Sequence, residues 1–153
     1  MPGPERKSPR LPAYDYAAMG AYFVTVCARN RACVFGAVVS DEMRLNRVGR
    51  IVEECWSAIT MHFPAVRLDP FVVMPNHVHG IVWLPRAGHA PPLPAVIGSF
   101  KSAASRAAGR PLWQRSFYDR VIRDEEELRA LRQYVAQNPL RWALDGENPS
   151  SNC

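Results

Sequence analysis

Residues 71–84 read FVVMPNHVHGIVWL, an apolar and β-branched run that a Met-Pro-Asn turn interrupts. Such a run predicts two strands joined by a tight turn. Side chains at positions i and i+2 of a strand point the same way, so His77 and His79 are expected on one face, roughly 7 Å apart along the strand. Two imidazoles held in this way are half of a metal site that requires further ligands.

The sequence before this stretch predicts a strand, a hairpin and a helix. Residues 21–27 are rich in aromatic and β-branched types, which favours a strand, and residues 34–45 have the pattern of a short hairpin. A helical spacing of apolar residues follows, with Asn46 as its N-cap and Pro64 as its stop. The apolar positions are Val48, Ile51, Val52, Cys55, Trp56 and Ile59.

The sequence after it predicts a helix, a strand and a last helix. The strand pair is expected at 66–74 and 77–84, the next helix at 95–108 and the last strand at 112–122. Asp124 is expected to cap the last helix, and Glu127 to complete a capping box. Because proline disfavours helical geometry in the residue before it, this helix is expected to end at Asn138.

The resulting order is β-α-β-β-α-β followed by a helix. It predicts an α+β fold, a ferredoxin-like βαββαβ sandwich whose antiparallel sheet, like that of an RNA-recognition motif (RRM), carries two helices on one face. The extra C-terminal helix is then free to cover the open face. We expect a basic N-terminal arm over 1–18, one domain over 19–142 and a flexible tail over 143–153.

Charge points to a polyanionic partner. The 153 residues carry a net charge of +5, and residues 101–123 hold six cations against one anion. A solvated basic face would look the same, but a nucleic acid is the sharper interpretation. The chain shows no CxxC spacing, no signal peptide and no run long enough to span a bilayer, so a cytoplasmic protein without membrane contact is expected.

Two residues of the last helix complete a possible reaction centre. Tyr134 and Asn138 are four residues apart, so they lie one turn apart on the same helical face. A tyrosine oxygen is a workable nucleophile, and an asparagine carbonyl oxygen is a hard metal ligand. If this helix crosses the sheet over His77 and His79, the four side chains suit in-line attack on a phosphodiester.

Three segments carry a resemblance to a known family. MPNHVHG at 74–80, LWQRSFYD at 112–119 and YVAQNPLRW at 134–142 resemble the single-tyrosine HUH transposases, the IS200-like family. The chain is more closely similar to the REP-associated tyrosine transposases, which RL at 10–11, YDY at 14–16 and DGENP at 145–149 also match. The match covers nearly the whole chain in the right order, and it identifies 19–142 as the transposase domain.

The resemblance implies a metal-dependent endonuclease and strand transferase that acts on hairpin-forming, single-stranded repeat DNA. It assigns His77, His79 and Asn138 to a divalent metal, Mg²⁺ or Mn²⁺, and Tyr134 to the attack that leaves a 5′-phosphotyrosine. Imidazole ligands lean towards softer metals such as zinc or manganese, so manganese is expected to support activity at least as well as magnesium. It also implies a bacterial protein that is nucleoid-associated when bound to DNA, as a monomer or a homodimer.

Basic residues of the arm and of the 101–123 segment are expected to bind the DNA backbone. These are Arg6, Lys7, Arg10, Lys101, Arg106, Arg115, Arg120 and Arg123. Two alternatives keep the fold and change the function. One is a non-catalytic, RRM-like module that stacks bases on Tyr22 and Phe23. The other is a metal-dependent phosphoesterase that uses activated water. Tyr118 is a rival nucleophile on a predicted strand.

Overall fold

The computed structural model describes residues 18–88 and 90–142. The predicted arm therefore lies outside the described residues apart from Ala18, and so does the predicted tail. The strands are β1 (Met19–Cys27), β2 (Gly36–Val39), β3 (Glu42–Leu45), β4 (Arg67–Met74), β5 (His77–Pro85) and β6 (Tyr118–Ile122). The helices are α1 (Arg47–Ser57), α2 (Ile59–His62), α3 (Leu93–Ala108) and α4 (Glu125–Arg141).

Four strands form one antiparallel sheet in the order β4-β5-β1-β6, and β2 pairs with β3 in a separate hairpin. The first and third strands of the βαββαβ unit lie at the centre of the sheet, which confirms the predicted ferredoxin-like α+β fold. No helix among the residues described here is long and apolar enough to cross a membrane.

Alternation along the central strands divides the core into two layers. On one face, Val24 and Val82 belong to the main core beside Trp56 of α1 and Phe100 of α3. On the other face, residues such as Ile81 and Trp83 form a smaller cluster with Leu128 of α4. The extra helix therefore covers the open face of the sheet, as predicted, and it does so on the side to which His77 and His79 belong.

Capping side chains fix where two helices begin. The Oδ1 atom of Asn46 accepts a hydrogen bond from the backbone N–H of Gly49 at 2.8 Å. Asp124 caps α4 in the same way by accepting from Glu127 N at 2.8 Å. The Glu127 carboxylate accepts from Arg123 N at 2.8 Å, one residue before the predicted partner. These contacts satisfy backbone donors that a helix start leaves unpaired.

Two predicted boundaries were wrong. The last strand does not begin at 112: it covers only Tyr118–Ile122, because Ser116 has a φ of 67° that interrupts an extended chain. The helix predicted to end at Asn138 continues through Pro139 to Arg141. Proline has no N–H to donate, which removes one helical hydrogen bond. Burial of Trp142, 4% exposed at the end of α4, offsets that loss.

Gly80 lets β5 approach α1 closely. A Cβ atom at this position would overlap Cζ2 of Trp56 and lie 3.0 Å from Cβ of Phe71. We therefore expect Gly80→Ala to lower the free energy of unfolding by about 2–3 kcal/mol, measured by denaturant titration. The control is Gly98→Ala in α3, where a Cβ would meet no heavy atom within 4 Å. That change should raise stability by about 0.5–1 kcal/mol, and equal effects at the two sites would contradict this account of the packing.

Candidate active site

The two histidines converge on one point at the end of the sheet where β1 finishes. His77 lies opposite Cys27 of β1, and His79 lies opposite Thr25. Both imidazoles are buried, with exposures of 1% and 6%. Their Nε2 atoms are 3.0 Å apart. The strand pairing therefore brings both ring nitrogens to a single place beneath α4.

Asn76 sets the tautomer of His77. The Nδ1 atom of His77 lies 2.7 Å from Oδ1 of Asn76, while the amide nitrogen of Asn76 donates to the carbonyl of Arg31 at 3.4 Å. Because the amide oxygen can only accept, Nδ1 of His77 carries the proton. The Nε2 atom of neutral His77 consequently presents its lone pair towards His79. This contact explains why asparagine precedes the first histidine.

Thr25 is the hydrogen-bond partner of Nδ1 in His79, as Asn76 is in His77. Its Oγ1 atom lies 2.9 Å from Nδ1 of His79, and a hydroxyl group can either donate or accept. When it accepts, both Nε2 atoms present lone pairs to the same point. Two ligands that bind one ion at right angles, each about 2.1 Å away, lie about 3.0 Å apart. The histidine pair therefore fits two adjacent positions of a divalent cation.

Burial keeps His79 neutral. The pKa of His79 lies well below its ordinary value of 6.5, first because burial penalises the imidazolium and second because His77 is close. Metals bind the neutral imidazole, so a depressed pKa leaves the ligand in its binding form at neutral pH.

The same shift predicts how stability depends on pH. The folded chain keeps His79 neutral where the unfolded chain would protonate it, so the unfolded state binds more protons below pH 6.5. In chelator-treated protein, the free energy of unfolding should fall as pH drops below that value, by up to about 1.4 kcal/mol per pH unit. His79→Gln should lose this component in denaturant titrations, and His62→Gln, at an exposed site, should keep it. Identical pH profiles for wild type and His79→Gln would contradict the assignment.

Tyr134 lies beside His79 on the α4 side. The two ring centroids are 5.5 Å apart. Phe23 of β1 contacts both, stacking on His79 at 5.2 Å and meeting the edge of Tyr134 at 6.1 Å. Phe23 thus fixes the spacing between the phenol and the imidazole.

The C-terminal half of α4 closes over the pair. Asn138 is 2% exposed, and its amide nitrogen donates to the Tyr134 carbonyl at 3.4 Å, so its side-chain oxygen is the atom suited to a cation. The Trp142 ring lies 6.2 Å from that of His77. Within residues 18–88 and 90–142, no group of three or more His, Cys, Asp or Glu side chains is placed to hold a metal ion. Asn138 is of a type outside that set.

A charged pair anchors α4 to the sheet. Arg132, two residues before Tyr134, donates from Nε to Asp69 Oδ1 at 2.9 Å and from Nη2 to Asp69 Oδ2 at 2.6 Å. The indole N–H of Trp83 donates to the same Oδ2 at 2.7 Å. Both charged side chains are largely buried, at 17% and 10% exposure. This bidentate contact fixes the rotation of α4 about its axis and hence the side on which Tyr134 lies.

An open groove of about 360 Å³ runs along β6 beside Tyr134. Its lining includes Phe23, Thr25, Tyr118, Arg120, Leu131 and Tyr134. Tyr118 is 58% exposed, and Arg120 forms an ion pair with Glu127 of α4. The rival nucleophile Tyr118 therefore shares the groove with Tyr134, but none of its observed contacts is to the histidine pair.

The basic residues that were predicted to bind DNA lie on several parts of the chain, and some of them are not next to the histidine pair. Arg6, Lys7 and Arg10 lie outside the described residues. The Lys101 ammonium donates to the carbonyls of Gln114 at 3.0 Å and Ser116 at 2.8 Å, and burial lowers its pKa. Arg106 is exposed on α3, which covers the sheet face opposite the histidines. Arg115, Arg120 and Arg123 are exposed in or next to β6. Their binding to DNA stays a prediction.

Comparison with known proteins gives the family and the fold. The chain is 35% identical over 164 residues to an uncharacterized protein of Haemophilus influenzae, a match that covers 92% of this chain and 91% of that protein. The chain belongs to the same family as that protein. No family model matches it.

Two solved structures share the architecture. One, a REP-associated tyrosine transposase bound to a REP hairpin, superimposes with a TM-score of 0.64 at 22% identity, covering 80% of this chain and 67% of that one. This chain has the fold of the REP-associated tyrosine transposases. A putative transposase from Deinococcus radiodurans R1 gives a TM-score of 0.53 at 20% identity, covering 88% and 98%. This shared fold is the one that the resemblance in the sequence motifs implies.

The sequence did not lead us to predict several supporting side chains of the site. Two of them, Thr25 and Asn76, could have been predicted, because Thr25 faces the same side of β1 as Phe23 and Asn76 adjoins the histidine motif. No sequence pattern predicts the contact between Asp69 and Arg132. They are 63 residues apart, and only the docking of α4 brings them together.

Proposed function

We propose that this chain is a metal-dependent single-stranded DNA endonuclease and strand transferase that acts through Tyr134 on hairpin-forming DNA. One observation carries the proposal. Two Nε2 atoms 3.0 Å apart face a common point, and the Tyr134 ring lies 5.5 Å from one of the imidazoles. The arrangement combines a potential cation site with a potential oxygen nucleophile, which is what phosphodiester transfer requires.

The donor set suits a divalent cation with nitrogen and oxygen ligands. His77, His79 and the side-chain oxygen of Asn138 would hold it. Such an ion supplies positive charge that polarises the scissile phosphate and stabilises the charge that develops during transfer. Because two of the three ligands are imidazoles, we expect Mn²⁺ to support activity at least as well as Mg²⁺.

Tyr134 would perform the chemical exchange. Its phenolic oxygen forms a bond to phosphorus as the bond from phosphorus to the 3′ oxygen breaks, so that the phenol loses its proton and the 3′ oxygen gains one. The products are a 5′-phosphotyrosine and a free 3′-hydroxyl. Attack by another 3′-hydroxyl reverses these changes and joins two strands, with one phosphate ester exchanged for another at each step.

The other groove residues would guide the strand. Phe23 packs against both the phenol and His79 and limits the motion of both rings. Tyr118 and Arg120 of β6 line the same groove with an exposed aromatic ring and an exposed cation. Stacking on aromatic rings and cationic contacts to phosphate are the usual means of binding single strands. The hairpin partner is proposed from the REP hairpin bound to the structural neighbour.

The test is a denaturing gel of the protein incubated with labelled, hairpin-bearing single-stranded DNA and Mn²⁺. A covalent protein–DNA adduct that a chelator abolishes supports strand transfer. Cleavage without an adduct would favour a phosphoesterase that uses water. Binding without cleavage would favour a non-catalytic module, and either of these two results would overturn the proposal.

A further inference from the structure

A strained turn follows β1 at the end of the sheet where the histidine pair lies. Asn30 and Arg31 both adopt left-handed backbone conformations, with φ values of 57° and 54°. Such conformations are unfavourable for side chains other than glycine, although asparagine adopts them more readily than arginine does. Four backbone hydrogen bonds hold the turn in place: Ala28 N to Asn76 O at 2.8 Å, Arg29 N to Leu112 O at 2.8 Å, Arg31 N to Ala28 O at 2.9 Å and Ala32 N to Arg29 O at 3.1 Å. Strain that the surroundings maintain in this way is often found at functional sites.

The turn is connected to the candidate active site through Asn76. The Arg31 carbonyl accepts from the amide nitrogen of Asn76, whose oxygen accepts from His77. Cys27, the last residue of β1, lies directly opposite His77. Arg29 follows two residues later, so the chain places it within about 7 Å of that strand end. The turn therefore lies just beyond the end of β1, where residues 112–114 continue along the edge of β1 that pairs with β6.

Two arginines line an open groove of about 370 Å³ at this turn. Arg29 belongs to the turn and Arg110 follows α3, with Asn30, Val34 and Leu112 between them. Both arginines are exposed. Neither forms an ion pair with a carboxylate of residues 18–88 or 90–142. Two guanidinium groups that pair with no carboxylate of the described residues make this groove suited to an anion.

We infer that Arg29 and Arg110 bind the phosphodiester backbone of the DNA substrate next to the scissile bond. The inference rests on the proposed function, and it deepens it by adding a second contact surface, beyond the end of β1, to the groove along β6. The strained turn then has a role: the same short piece of backbone carries a phosphate-binding arginine and the Arg31 carbonyl that accepts a hydrogen bond from Asn76.

The experiment measures salt dependence of binding by fluorescence anisotropy, with a labelled oligothymidine and a labelled blunt DNA hairpin as separate probes. The double variant Arg29→Ala/Arg110→Ala is compared with Arg86→Ala/Arg129→Ala, which removes two exposed arginines towards the opposite end of the sheet. Each phosphate contact contributes a slope of about 0.7 in log K against log salt for single strands. The Arg29/Arg110 variant should therefore lose about 1.4 units of slope and bind about 25-fold more weakly at about 0.1 M salt, with the difference vanishing near 1 M.

Each outcome decides the inference. A reduced slope on oligothymidine indicates contact with a single-stranded flank, a reduced slope on the hairpin indicates contact with the stem, and either supports the groove. An unchanged slope on both probes, or a loss equal to that of the Arg86/Arg129 variant, overturns it. The conservative variant Arg29→Lys/Arg110→Lys should keep the slope, which separates lost charge from a damaged fold.

The adduct gel keeps this result distinct from the proposed function. If the Arg29/Arg110 variant shows a reduced slope but the wild-type protein forms no adduct, DNA binding by the groove is supported and the proposed strand transfer is rejected. If the wild-type protein forms an adduct but the slope of the variant is unchanged, strand transfer is supported and DNA binding by the groove is rejected.

Discussion

Tyr134→Phe is expected to reduce the rate of covalent adduct formation by at least about 10³-fold, because it removes the only atom of this side chain able to bond to phosphorus. The ring itself should keep its place against Phe23 and His79, since those contacts involve ring carbon atoms. We therefore expect DNA affinity and the unfolding midpoint to stay near their wild-type values. Single-turnover rates from denaturing gels and binding curves from anisotropy measure the two effects separately.

Tyr118→Phe is the matched control. Tyr118 lines the same groove and is more exposed, but its observed contacts do not include the histidine pair. Loss of its hydroxyl should change the adduct rate by no more than a few-fold. Equal losses in the two variants would mean that the groove as a whole, and no single oxygen, governs the rate. A large loss confined to Tyr118→Phe would transfer the nucleophile to β6.

Asp69→Ala is expected to loosen α4. The change removes one acceptor group that receives two hydrogen bonds from Arg132 and one from Trp83, and it leaves a largely buried guanidinium without its partner. Removal of one member of a buried pair costs about 3–5 kcal/mol, and the partial exposure of this pair places the expected loss at the lower end of that range. Denaturant titration measures the loss. Hydrogen exchange should locate it in the amides of α4.

The loosening should also slow the proposed reaction, because Arg132 lies two residues before Tyr134 on the same helix. Glu42→Ala serves as the control: Glu42 and Arg44 form an exposed pair at 3.9 Å, and its removal should change stability by less than about 0.5 kcal/mol. If Asp69→Ala lowered global stability but left exchange in α4 and the adduct rate unchanged, the Asp69–Arg132 contact would not position the helix.

The helices and strands of this fold could be predicted well from the sequence, because apolar residues recur at helical spacing in the helices and form β-branched runs in the strands. The strand pair around the histidines has β-branched runs on both sides of a turn, and the observed bounds of β4 and β5 differ from the predicted ones by one residue each. Helix α1 begins after its predicted cap because the Asn46 side chain supplies an acceptor that depends only on local chain geometry.

Boundaries set by tertiary contacts could not be predicted in this way. The rule that proline ends a helix one residue earlier describes an isolated chain, whereas Trp142 is held against the sheet and keeps α4 helical past Pro139. Similarly, the apolar residues near Leu112 resemble a strand, but only an isolated bridge joins Trp113 to Ala28, and Leu112 packs in the main core.

The residues of the candidate site also fall into two groups: those that local spacing predicts and those that only tertiary contacts bring together. His77, His79, Tyr134 and Asn138 follow from spacing within one strand and one helix, and the structure brings the phenol and the histidine pair together. Their supports do not follow from spacing. Thr25 meets His79 across 54 residues and Asp69 meets Arg132 across 63, so these contacts exist only once the sheet and α4 have assembled.

The central claim is that the Tyr134 oxygen becomes bonded to DNA phosphate beside the histidine pair. Trypsin separates the two candidate tyrosines, since Tyr134 lies in the peptide 133–141 and Tyr118 in the peptide 116–120. Mass spectrometry of the nuclease-trimmed adduct should find the nucleotide phosphate on Tyr134 in the first peptide. A phosphate on Tyr118, or its absence from both tyrosines while DNA is cleaved, would contradict the account.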